Sequence, residues 1–165
     1  MTALKITEVK DFMNRLLMQD TFDFFYLVRA DIVRDYSVSI DGIISPQFYT
    51  EEEKEILGIK GDKFLKYGKL RDGILGHIKG KRSPLLFKLT LAMKADEALL
   101  NMKGEANTKS SIEEFLINIK FDSKGLVLTT GVSYSSFNPD KSSELLWDEY
   151  ICEFLKSRDI VCENI

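Results

Sequence analysis

Two periods of apolar residues run along the chain and mark out most of its elements. After Thr7, the residues Val9, Phe12, Met13, Leu16 and Leu17 recur at the i, i+3, i+4 spacing of one helical stripe, with Thr7 placed as its N-cap. Beyond Asp20-Thr21 the period falls to two. Phe24, Tyr26, Val28, Ala30 and Ile32 share one strand face, and the alternation resumes at Tyr36, Val38 and Ile40 after a break at Arg34. The segment is therefore one bent strand or two strands joined near Val33 to Asp35. Asp41-Gly42 signals a turn, and Thr50-Glu51-Glu52-Glu53 has the form of a capping box opening a short acidic helix that Gly58 and Gly61 close. Tyr67, Leu70, Ile74 and Ile78 keep helical spacing despite Gly73 and Gly76, with Gly80 as the expected C-cap.

Beyond Pro84 the period is two again, with Leu85, Phe87, Leu89, Leu91 and Met93 on one face of a strand. Asp96 to Met102 suits a short helix and Gly104 to Ser111 a polar loop. A hairpin follows. Phe115, Ile117, Ile119 and Phe121 alternate before the Asp122-Ser123-Lys124-Gly125 turn, and Leu126, Leu128, Thr130, Val132 and Tyr134 alternate after it. A last helix is expected from Asn138-Pro139-Asp140, with Leu146, Trp147, Tyr150, Ile151, Phe154 and Leu155 on its apolar face. The order lacks regular βαβ alternation. It predicts an α+β fold, a mainly antiparallel sheet of about four to six strands with N-terminal, central and C-terminal helices packed against it.

Composition narrows the class. The 165 residues, 44% hydrophobic and 30% charged, suit a single domain over 1–165 with a full core and no disorder signature. The N-terminus carries a charge every few residues, and the run Phe24 to Val28 is far short of the ~20 apolar residues of a membrane helix. A soluble cytoplasmic protein is expected, with no membrane contact. Cys152 and Cys162 are then reduced thiols, and with His77 they make fewer zinc ligands than a structural site needs. Glu51, Glu52, Glu53 and Glu55 are accounted for by the positive end of a helix dipole, so no metal site is expected. The glycines follow no phosphate-loop pattern, and no cofactor is expected.

The opening Ala3-Leu4-Lys5-Ile6-Thr7, the passage Lys79-Gly80-Lys81-Arg82-Ser83-Pro84 and the ending around Leu146-Trp147-Asp148-Glu149 resemble a family of uncharacterised small proteins from Clostridia-type bacteria. The resemblance implies a bacterial, cytosolic setting. It carries no functional residues.

Charge is segregated more sharply than composition suggests. From Lys60 to Lys88 nine cations face only Asp62 and Asp72, a surplus of seven, while the remainder holds 14 cations and 24 carboxylates. Phe64, Tyr67 and Phe87 lie among these cations, a combination that single-stranded nucleic acid sites use when bases stack on rings and cations follow the backbone. The candidate contact residues are Lys63, Lys66, Tyr67, Lys69, Arg71, Lys79, Lys81 and Arg82. Their expected partner is an acidic protein surface, a second copy of the chain, or a polyanion such as nucleic acid. An ordinary solvated face competes with this, because Lys79, Lys81 and Arg82 follow a helix C-terminus, where cations are favoured without any ligand.

Catalytic candidates are weaker. His77 borders the apolar stripe of its helix with no nucleophile motif beside it, and Cys152 lies among Glu149 and Glu153, which oppose a thiolate. No catalytic residue is assigned. The alternative is an enzyme without a recognisable signature, using His77 or Tyr67 with Lys81 and Arg82 around an anionic substrate. A concave pocket holding those side chains would favour it. Glu144 with Asp148, and Glu149 with Glu153, are like-charge pairs that a cationic neighbour would relieve, and the basic stretch is the expected one.

Overall fold

Alternating strands need a cover for their apolar faces, and here helices supply it from one side. In the computed structural model, which describes residues 1–59, 61–102 and 111–165, the strands are β1 (Ala3–Ile6), β2 (Tyr26–Val33), β3 (Ser37–Asp41), β4 (Leu86–Lys94), β5 (Ile112–Asp122), β6 (Gly125–Tyr134) and β7 (Cys162–Asn164). They form one sheet in the order β3-β2-β4-β5-β6-β1-β7. Every neighbouring pair is antiparallel. The helices are α1 (Val9–Leu17), α2 (Glu51–Leu57), α3 (Tyr67–Ile78), α4 (Ala95–Asn101) and α5 (Ser142–Ser157), with a 3-10 turn at Pro46–Phe48. The fold is α+β, as the pattern predicts, with a sheet one strand larger than the upper expectation.

One continuous core joins Phe12 and Leu16 of α1, Tyr67 and Ile74 of α3, Trp147 and Ile151 of α5, and the inward residues of the strands. Trp147 is fully buried against Phe115, and its Nε1 donates to the Leu116 carbonyl at 2.9 Å, so its one polar atom is satisfied. The hairpin turns as expected: Gly125 takes φ 116°, and Asp122 Oδ1 accepts from Lys124 N. The helix over Asp96 to Met102 is observed as α4, one residue earlier, and the Gly104 to Ser111 loop lies almost wholly outside the described residues.

Several expectations are corrected. Thr7 does not cap α1, because its hydroxyl donates to the Val161 carbonyl at 3.3 Å and Glu8 takes the cap position without a side-chain bond. Tyr26 and Val28 do not share a face with Ala30 and Ile32. A bulge between Leu27 and Arg29 shifts the register, so Leu27, Ala30 and Ile32 enter the core while Tyr26 and Val28 join Phe64 and Ala92 on the opposite face. Phe24 lies before the strand, and Leu85 before β4 is exposed. Gly80 is not a left-handed C-cap; Lys79 occupies that position with extended backbone. The last helix starts at Ser142, because Asn138 Oδ1 and Asp140 Oδ1 accept from the amides two residues on and hold 138–141 in turns. Strands β1 and β7, of four and three residues, carry too short an alternation to stand out in the sequence.

Candidate functional site

The basic stretch divides by the partners its cations meet. Lys60 lies outside the described residues. From Lys66 to Arg71 the cations are used within the chain, while Lys63 is exposed, 5.0 Å from the centre of the neighbouring Phe64 ring. Lys66 Nζ donates to the Phe24 carbonyl at 2.8 Å, sits 3.7 Å from the centre of the Tyr26 ring and pairs with Glu97 at 3.7 Å. Lys69 Nζ donates to Tyr49 Oη at 2.6 Å. Arg71, 19% exposed, spans Asp23 Oδ1 and Oδ2 at 2.8 and 2.7 Å and the Gln19 carbonyl at 2.6 Å. The absent Cβ of Gly68 makes this possible, since one there would stand 2.8 Å from Asp23. Tyr67 is completely buried, its hydroxyl donates to the Leu16 carbonyl, and burial pushes its pKa well above the usual phenol value. Of the three rings set among the cations, Tyr67 and Phe87 are fully buried and Phe64 nearly so. They are core residues.

The far end of the stretch is different. Arg34, from the β2–β3 connection, reaches across and its Nη1 donates to the carbonyls of His77 and Lys79, each at 3.0 Å. This guanidinium therefore supplies the cation that the C-terminal end of the α3 dipole favours. Gly80 leaves room for it: a Cβ there would meet Arg34 Nη2 at 2.8 Å. Leu85 N donates to the Val33 carbonyl, which fixes the other end of the loop. Between the two anchors, Arg34, Asp35, Lys81, Arg82, Ser83 and Leu85 line a cleft of about 490 Å³. Lys79, Lys81 and Arg82 are exposed, and among the described residues their side chains have no hydrogen-bond or ion-pair partner.

The cleft contains two of the groups named for a catalytic alternative, Lys81 and Arg82, and not the other two. Tyr67 is in the core, and His77 turns its Nδ1 to Tyr36 Oη at 3.0 Å, outside the cleft lining. The two cysteines stand together instead, on a cleft of about 510 Å³ with Lys156 and Asp159, and burial pushes both thiols up, away from the thiolate that nucleophilic chemistry needs. On α5, Glu144 and Asp148 pair with the Met1 amino group at 3.5 and 3.0 Å rather than with the basic stretch, and Asp148 also accepts from Thr130.

Sequence reading took Arg34 only as a break in the strand alternation and missed its place at the cleft. It lies 45 residues before Lys79 and stands alone, so only the pairing of β2 with β4 brings it to the cleft. It also missed that Lys88 faces Asp31 on one side and Lys120 on the other across the sheet, a juxtaposition of three strands. Among the described residues, no group of three or more His, Cys, Asp or Glu is placed to hold a metal ion, and no helix is long and apolar enough to cross a membrane.

A family model matches residues 15–163: Family of unknown function (DUF5721). No curated protein and no solved structure matches the chain.

Proposed function

The chain belongs to that family of unknown function, and we propose that it is a non-catalytic binding module whose Arg34–Lys81–Arg82 cleft docks an acidic segment of a protein. The observation that carries this reading is the pair of free cations on an anchored loop. The helix end beside them is already served by Arg34, so Lys81 and Arg82 answer no demand within the described fold. A carboxylate finds planar N–H donors on Arg82, a point charge on Lys81 and the Ser83 hydroxyl in one place. The burial of Phe64, Tyr67 and Phe87 removes the stacking platform that single-stranded nucleic acid uses. A protein carboxylate needs no such platform. A bacterial, cytoplasmic setting belongs to the same reading, supported by the sequence resemblance and by two free thiols.

The test is fluorescence anisotropy with a labelled glutamate-rich peptide and with labelled single-stranded DNA, at low and high salt, using dilute wild type and a variant with Lys79, Lys81 and Arg82 all changed to Ala. Saturable peptide binding that the triple variant loses is expected. Peptide binding absent at low salt, or kept by the triple variant, overturns the reading. DNA binding tighter than peptide binding, with a steep salt slope, replaces it with a polyanion site.

A further inference from the structure

The acidic helix α2 is the least embedded element of the fold. It is seven residues long and buries none of them, whereas short helices ordinarily depend on tertiary packing for their stability. The capping box is formed, with Thr50 Oγ1 accepting from Glu53 N and Glu53 Oε2 from Thr50 N, and Gly58 closes the helix at φ 64°. These terminal bonds define its ends and leave its sides in solvent. Phe48 is 79% exposed and Ile56 75%. Ile43, Phe48, Ile56 and Leu57, four large apolar residues of one segment, are all exposed.

Charge on the same helix points to the occupant. Glu51 pairs with Lys54 at 2.8 Å and Glu53 is held in the capping box. Glu52 and Glu55 remain, exposed and without a cation among the described residues, three apart and so on one side of the helix, where they repel each other. Ile56 is four residues from Glu52 and shares that side. The face therefore presents two unpaired carboxylates and one large aliphatic side chain. The cleft presents the complement: three cations, Arg34, Lys81 and Arg82, against one carboxylate, Asp35, with Lys81 and Arg82 unpaired among the described residues, beside Leu85, which is 71% exposed.

We propose that two copies of this chain associate by seating the Glu52–Glu55–Ile56 face of α2 from one copy in the Arg34–Lys81–Arg82–Leu85 cleft of another. This rests on the reading of the cleft as an acceptor of acidic segments and names the segment. Two different surfaces meet, so the contact is heterologous. Its charge pairs set orientation and encounter rate, and burial of Ile56 against Leu85 removes apolar surface from water on both copies.

Sedimentation velocity over a wide concentration range, at low and high salt, tests it with two charge-reversed variants, Glu52→Lys with Glu55→Lys and Lys81→Glu with Arg82→Glu. Wild type is expected to associate with rising concentration and to dissociate in high salt. Each variant alone sets like charge against like and should weaken association by at least about tenfold. Mixed in equal amounts the two are complementary again, basic helix to acidic cleft and acidic helix to basic cleft, and the complex should return. All substituted side chains are exposed, so each variant is expected to fold, and its melting curve checks this. Wild type that stays monomeric throughout, or variants that fail to associate when mixed, overturns the inference. If the labelled glutamate peptide still binds the monomer and not the triple alanine variant, only the self-association fails and the acidic-segment reading stands.

Discussion

Residues 63–71 and 79–82 are both cationic in sequence, with four and three cations and no carboxylate, and opposite in use. The first group meets groups brought from elsewhere in the chain: a Phe24 carbonyl and the Tyr26 ring for Lys66, a Tyr49 hydroxyl for Lys69, the Asp23 carboxylate for Arg71. The second group sits on a loop tied down at both ends by backbone carbonyls, with its side chains turned to solvent. Counting charge therefore overstates what is available to a partner. Whether a cation is free is decided by the carboxylates and rings that the fold places against it, which the composition of the segment does not contain.

The largest expected effect separates the two groups by stability. We predict that Arg71→Ala costs about 1–2 kcal/mol, since it leaves the part-buried Asp23 carboxylate without its cation, while Arg82→Ala stays within about 0.5 kcal/mol of wild type. Urea unfolding of both variants measures the difference. Equal costs would dissolve the distinction between structural and free cations.

A smaller effect probes the anchor of the free group. Gly80→Ala places a Cβ 2.8 Å from Arg34 Nη2, so the guanidinium must shift, which loosens the bonds by which its Nη1 joins the His77 and Lys79 carbonyls at 3.0 Å. A loss of about 1 kcal/mol in unfolding free energy is expected, along with weaker peptide binding in the cleft. Gly76→Ala is the control. It lies inside α3 with nothing within 4 Å of the added Cβ, and helix propensity should raise stability by about 0.5–1 kcal/mol. If both alanines shift the melt in the same direction, the close approach of Arg34 to Gly80 has no energetic weight.

The parts of this molecule that sequence discloses are those whose physics is local. The Thr50–Glu53 capping box, the Asp122–Gly125 hairpin and the apolar face of α5 each lie within one short segment, and each is found as expected. The bulge at Val28 is not local: its effect appears only when β2 is aligned against β4, and an unbroken alternation conceals it. Thr7 was legible as a polar residue before a helix but not as a partner of Val161, 154 residues away. The cleft was half legible for the same reason. Lys81 and Arg82 stand together in the sequence, whereas Arg34, which relieves them of the helix end, comes from a neighbouring connection.

Lys63 marks the boundary between the groups, and the smallest effect tests it. It is exposed, 5.0 Å from the centre of the Phe64 ring, and faces Glu114, whose carboxyl burial holds above its ordinary value; Lys63 opposes that rise and Glu113 adds to it. A carboxyl raised in the folded state binds its proton more tightly there than in the unfolded chain. Below the ordinary carboxylate range both states are protonated and the group has no effect on stability. As pH climbs from that range through the raised value, the unfolded chain releases its proton first, so stability falls and then levels off. Glu114→Gln removes that loss, and its Tm should exceed wild type by about 1–2 °C at pH 7 and coincide with it near pH 3. Lys63→Ala should move the other way, lowering Tm at pH 7 and not at pH 3, because the carboxylate loses an opposing cation. If Lys63→Ala melts like Lys81→Ala at both pH values, Lys63 belongs with the free cations, and the boundary of the used group moves to Lys66.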